Sequence, residues 1–169
     1  YGTTHLGNID DVSAFMFTKK GDMKTPKIVP FDGGGELATQ LVAGAVDAAV
    51  LNLAEAGSQI AAGDICPIVV LANERMAGLP NVSTAKEMGI AVSFSTVRGF
   101  AVHKDTPDAI AEKIEVALLK SMNHSIYQGF LESVGLDSTS VVGSDEWGNQ
   151  ITTMVVDMES ALKELGFIE

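Results

Sequence analysis

Three stretches of this chain combine residue types that can hold an anion. Gly33-Gly34-Gly35 sits between a short apolar run, Ile28-Val29-Pro30-Phe31, and a helical pattern through Leu37, Leu41 and Val42. A helix N-terminus offers unpaired N–H groups and a partial positive charge, and glycine lets a ligand approach the backbone closely. A plain tight turn into a helix explains the triplet equally well. A dinucleotide or P-loop reading fails, because no G-x-G-x-x-G is completed and no Lys-Ser/Thr follows. The second stretch, Tyr1 to Asn8, places Thr3, Thr4 and two glycines just ahead of a helical stripe. Either threonine can cap that helix, or both can donate to a carboxylate. Asn52, the third, follows a predicted strand and can cap the next helix or reach a ligand. All three lie where the chain enters a helix, and open α/β sheets bind ligands outside the carboxyl ends of their strands.

Other candidates carry less. Arg98 interrupts an apolar extended stretch between Val97 and Phe100. If buried, it needs an anionic partner, either a strand-edge carboxylate or a ligand. His5, His103 and His124 are scattered, with no spacing suited to a metal or a nucleophile pair. Asp10-Asp11 fits the acidic first turn of a helix better than an acid–base pair. No G-x-S-x-G, H-E-x-x-H or Cys–His constellation occurs. Cys66, alone in an apolar run, reads as a buried structural thiol. No catalytic residue, metal site or cofactor is expected.

These residues need elements to position them. Up to residue 103, strands and helices alternate, which predicts a layered α/β sheet. Helices are expected over 8–19, through Leu37 to Val42, over Leu53 to Ala62 and, capped by Ser83, over Thr84 to Met88. Extended segments are expected at Lys27–Val29, Asp47–Leu51, Ile65–Ala72, Ala91–Phe94 and Thr96–His103. The Ile65–Ala72 run is apolar almost throughout, as in a strand covered on both faces. Beyond residue 105 only helices follow: one from Pro107 to about Met122 capped by Thr106, one from Ser125 to about Gly135, and one capped by Ser144 and ended by Gly166. The last has Trp147, Ile151, Met154, Val155, Met158, Leu162 and Leu165 along one side. Such stripes need a partner surface, and no later strand supplies one.

The chain has 169 residues, 46% of them hydrophobic and 20% charged, enough apolar material for a core. No run of about 18 apolar residues exists to form a membrane-crossing helix. The net charge of −11 argues against a nucleic-acid partner. It is uneven: residues 1–99 hold 7 basic and 10 acidic side chains, and residues 100–169 hold 4 and 12. The sequence opens at Tyr1 without a signal-like segment, which reads as a processed or truncated piece.

Together these residues resemble a known family. Ile28-Val29-Pro30-Phe31-Asp32-Gly33-Gly34-Gly35, followed by Leu41-Val42-Ala43-Gly44-Ala45-Val46-Asp47, resembles the V-P-Y-K-G-G-G … L-L-G-G-Q-V-D signature of tripartite tricarboxylate transporter substrate-binding proteins, the TctC or Bug family. Leu79-Pro80-Asn81-Val82-Ser83-Thr84-Ala85-Lys86-Glu87-Met88-Gly89 is similar to that family's L-P-D-V-P-T-x-x-E-x-G. The likeness continues through Ile60–Asp64, Gly99, Thr106-Pro107 and Gly166-Phe167, and so covers nearly the whole chain.

The resemblance implies a type II periplasmic-binding-protein architecture, two α/β lobes with a ligand cleft between them. Residues 1–103 would be the second lobe, and 104–169 the returning helical part of a first lobe whose N-terminal half is absent. It implies an extracytoplasmic, periplasmic receptor that captures a small mono-, di- or tricarboxylate without catalysis and delivers it to transporter membrane subunits. Carried over by position, Thr3, Thr4, Gly7 and Asn8 match the loop that holds a ligand carboxylate. Asp32, Gly33, Gly34 and Gly35 match the signature loop lining the cleft, and Asn52 falls near the strand-end position facing it. His5 stands where the family has a small residue or glycine, Asp32 replaces a usual Lys, and Arg98 replaces Trp or another bulky residue, so Arg98 is expected to offer a direct salt bridge. Two other readings remain: a ligand-sensing module for a signalling partner, and an α/β enzyme with Asp32 as the only nearby base. The C-terminal helices are expected to pack together or to self-associate.

Overall fold

The computed structural model describes Tyr1–Glu169, apart from the side chain of Leu165. The sheet is built on a strand that the sequence pattern disguises as a loop. β1 (Gly2–Thr4) lies beside β2 (Val29–Phe31), parallel, with Gly2 opposite Val29, Thr3 opposite Pro30 and Thr4 opposite Phe31. On its other side Gly2 bridges Ala49, and the Gly2 N–H donates to the Ala48 carbonyl at 2.8 Å. The expected Asp47–Leu51 strand shrinks to this one bridge. The expected Lys27–Val29 strand instead starts at Val29, and it admits Pro30 because β2 is an edge strand.

α1 (Ile9–Lys20) starts at Asn8, whose side chain accepts from the Asp11 N–H at 3.1 Å. Neither threonine caps it. α2 (Gly34–Val42) buries Leu37 and Ala38, with Leu37 packed against Gly2. α3 (Leu53–Ala62) follows Asn52. The main core joins Val12 and Met16 of α1 to Ala85, Ile90, Val92 and Ala161.

The Ile65–Ala72 segment departs from expectation. Only Val70 is bridged, to Thr84. Ile68 is 72% exposed and Cys66 is an exposed free thiol, because no described layer covers that face. The expected Ser83-capped helix is a turn closed by reciprocal bonds: the Thr84 N–H donates to Glu87 at 2.8 Å and the Glu87 N–H to Thr84 Oγ1 at 3.1 Å. Arg75 Nε donates to the same carboxylate at 2.9 Å and holds it below its ordinary pKa. Thr96–His103 forms no ladder, and Arg98 in it is exposed rather than buried, with no ion pair among the described residues.

The helical part comprises α4 (Asp108–Met122), α5 (Ser125–Ser133), a short 3-10 turn (Ser138–Ser140) and α6 (Ser144–Leu165). Thr106 does not cap α4, whose N-cap is Pro107. Ser144 does not cap α6 either; its N–H donates to Glu115 of α4 at 2.6 Å. The last turns of α6 cross the expected 103/104 boundary. Met158, Ala161 and Leu162 join the α1 core, Phe167 meets Phe15 edge-on at 6.2 Å, and Glu164 pairs with Lys19 and Lys20. The stripe position assigned to Leu165 lies outside the described side chains. Nearer its start, α6 lays Trp147 on Gly99 and leaves Val155 and Val156 exposed.

Candidate functional site

The parallel register sets Thr4 beside Phe31 at the carboxyl edge of the sheet, and α1, α2 and α3 start just beyond it. Two of these helix starts are closed by their own side chains. At α1, Asn8 caps and Asp11 accepts from the Gly7 N–H at 2.8 Å. At α3, Glu55 reaches back to the Asn52 N–H at 2.9 Å and to the Asn52 side-chain amide at 3.2 Å. α2 differs. Its N-cap is Gly33, and no side chain caps it. Glu36 accepts only from the Asp32 N–H, at 3.2 Å. The first-turn N–H groups of α2 therefore remain available to an acceptor.

Two acidic residues knit this edge together. Asp10 accepts from Thr4 Oγ1, and the Asn8 amide donates to Thr4 Oγ1 at 2.9 Å. Burial raises the Asp10 carboxyl above its ordinary pKa; the Thr4 bond opposes this, and the Glu55 charge adds to it. Glu55 in turn lies so close to Gly34 that a methyl group there would overlap its carboxylate. Thr4, Asn8, Gly34 and Asn52 are thus linked through Asp10 and Glu55. Sequence reasoning dismissed Asp10 and overlooked Glu55, although Asn-x-x-Glu at Asn52 was a readable capping-box signal.

Thr3 is fully buried and its hydroxyl has no partner among the described residues. Tyr1 donates to Asp11 at 3.1 Å, and burial together with the Asp11 charge raises the phenol pKa. His5 is exposed with φ of 56°, the left-handed region, which accounts for the small residue or glycine expected there. Asp32 is exposed and Gly33 half-buried. Two open apolar hollows lie elsewhere. One of about 460 Å³ is lined by Lys120, His124 and Phe130, and one of about 520 Å³ by Val97, Val155 and Met158.

A parallel α/β edge with helix N-termini gathered on it, joined to a helical part by the long α6, defines a periplasmic-binding-protein-like architecture. The solved structures agree. A protein from R. palustris, solved with adipate, superposes with a TM-score of 0.84 at 19% identity, over 98% of this chain and 55% of that one. A TctC solute-binding protein from Polaromonas, solved without ligand, gives 0.78 at 23% identity, over 96% and 56%. Residues 2–165 match the tripartite tricarboxylate transporter family receptor, TctC, and the chain belongs to that family. A UPF0065 protein of Bordetella pertussis is 30% identical over 110 residues, 64% of this chain and 34% of that protein. Another, encoded in the ttuE-ttuC′ intergenic region of Agrobacterium vitis, is 29% identical over 119 residues, 70% and 34%. The chain spans just over half the length of the solved relatives and about a third of the curated ones. The family is one of receptors, not enzymes.

Proposed function

We propose that this chain is the ligand-holding portion of an extracytoplasmic receptor that captures a small organic carboxylate for a tripartite tricarboxylate-type transporter. The observation that carries this reading is the uncapped N-terminus of α2 at the carboxyl edge of parallel strands. There the first-turn N–H groups of α2 donate to a ligand carboxylate, with the Gly33, Gly34, Gly35 and Asp32 backbone around it. Thr4, Gly7, Asn8 and Asn52 flank that face, Thr3 lies buried beneath it with an unpartnered hydroxyl, and exposed Arg98 is the candidate cation for a second carboxylate or the far end of the ligand. Residues 1–103 act as one lobe. The helices from 104 onward belong to the other, which closes over the ligand by hinge motion. Their exposed apolar residues, Ile126 and Val155 among them, make self-association the expected behaviour of the chain alone.

Asp10, Asp11, Asp32, Glu36 and Glu55 stand around the same edge. Their charge disfavours a ligand of high negative charge, so mono- and dicarboxylates should bind ahead of tricarboxylates. Calorimetry on the intact protein with acetate, adipate and citrate tests this. Saturable adipate binding that Arg98→Ala weakens about tenfold is expected. Heat of dilution alone for all three acids overturns the carboxylate reading; undiminished binding by the variant removes Arg98 from the site.

A further inference from the structure

One contact joins the α/β part to the helical part right beside this edge. The Gly78 N–H donates to the Gly135 carbonyl at 3.3 Å, and the Leu53 side chain fills the angle between the two glycines. A methyl group on Gly78 would lie 2.6 Å from the Gly135 Cα and 2.7 Å from Leu53 Cδ2, and one on Gly135 would overlap Leu53 outright. Two main chains therefore touch here only because neither residue carries a Cβ.

The two sides of the contact are braced differently. Gly78 lies in a loop that Arg75 pins, through Glu87 and through the Pro80 carbonyl at 3.0 Å. Gly135 follows α5, immediately after its C-cap Val134. Leu53 is the first residue of α3, next to Asn52, whose helix start holds Glu55 against Gly34. Parting Gly78 from Gly135 would thus release one flank of the ligand edge without breaking a core. One long hydrogen bond and one leucine suit a joint that opens and closes.

We propose that Leu53, Gly78 and Gly135 form a reversible latch between the two parts, and that it sets how long a ligand stays at the α2 N-terminus. The latch rests on the reading of that edge as a ligand site. These are positioning residues, acting through the closed arrangement and not by touching ligand. Ligand enters the open arrangement and, once enclosed, leaves only when the joint parts. Loss of the latch should therefore speed release and leave capture unchanged.

The test combines ligand-free NMR with stopped-flow binding of adipate to the intact protein. In the parent protein, cross-peaks are expected between the Leu53 methyls and the Gly135 α-protons. Gly78→Ala should abolish them and raise the adipate dissociation rate about fivefold, with the association rate within about twofold. Leu53→Ala should do the same if Gly78→Ala misfolds, and Leu53→Met should restore slow release. Parent dissociation rates in both Gly78→Ala and Leu53→Ala overturn the latch. So does the absence of the cross-peaks in the ligand-free parent. If adipate does not bind the parent at all, the carboxylate reading fails. The cross-peaks, and the solution-scattering radius of Gly78→Ala against the parent, then decide the latch alone: an unchanged radius overturns it.

Discussion

α1 and α4 carry comparable apolar stripes, Ile9, Val12, Phe15 and Met16 in one, Ile110, Ile114, Ala117 and Leu118 in the other. α1 buries five residues and α4 none. Helical periodicity reports that a face wants a partner, not where the partner is. For α1 the partner is the far end of the chain, α6. α4 meets α5 and the start of α6, and neither buries any residue of it. The difference separates an α/β part whose core α6 completes from the α4–α5 stretch, which buries only Leu131.

The largest expected effect tests that separation directly. Leu37→Ala, at a fully buried position, should cost about 3 kcal/mol in denaturant unfolding. Ile114→Ala, on the open face of α4, should stay within about 0.5 kcal/mol. Equal losses would erase the distinction. Next, Thr3→Val should stabilise the protein by about 1 kcal/mol, since it removes a buried hydroxyl with no partner. Measured beside adipate binding, it also shows whether that hydroxyl is kept for the ligand.

The smallest effect concerns pH, and it runs in opposite directions in the two parts. The Asp10 carboxyl is raised in the fold, chiefly by burial. Its favourable contribution is complete below the unfolded value and is lost as pH rises through the folded one. Asp10→Asn should therefore raise the melting temperature at neutral pH, and the gain should vanish in acid. Glu115 is lowered, because it accepts from the Ser144 backbone. Its contribution is present above the unfolded value and is lost as pH falls through the folded one. Glu115→Gln should therefore lower the melting temperature at neutral pH only. Parallel melting curves for the two variants would refute the contrast.

Much of this was legible in residue types. Gly33 to Gly35 announced a strand-to-helix entry, and Gly63 and Gly166 marked helix ends that the structure keeps. β1 was not legible, because three residues of Gly-Thr-Thr show no alternation and gain their extended form only from pairing with Val29–Phe31 and Ala49. Burial failed at Cys66 and Arg98 for one reason. An apolar run predicts cover, and cover is a long-range property that local sequence does not carry. The site residues were named from their loops, but the network through Asp10 and Glu55 depends on how three helices are aimed, which spacing cannot specify.

α6 has a consequence for the order of events at the ribosome. The helix is 22 residues, about 33 Å long. Its last turns seal a core that α1 opens, and Lys19 meets Glu164 across 145 residues of chain. α1 is synthesised well before α6 and must wait for it, with Val12 and Met16 uncovered meanwhile. Closing so long a loop is slow, and exposed apolar surface invites wrong partners in the interval. A chain stalled before α6 is made would lack the lid of the α1 core.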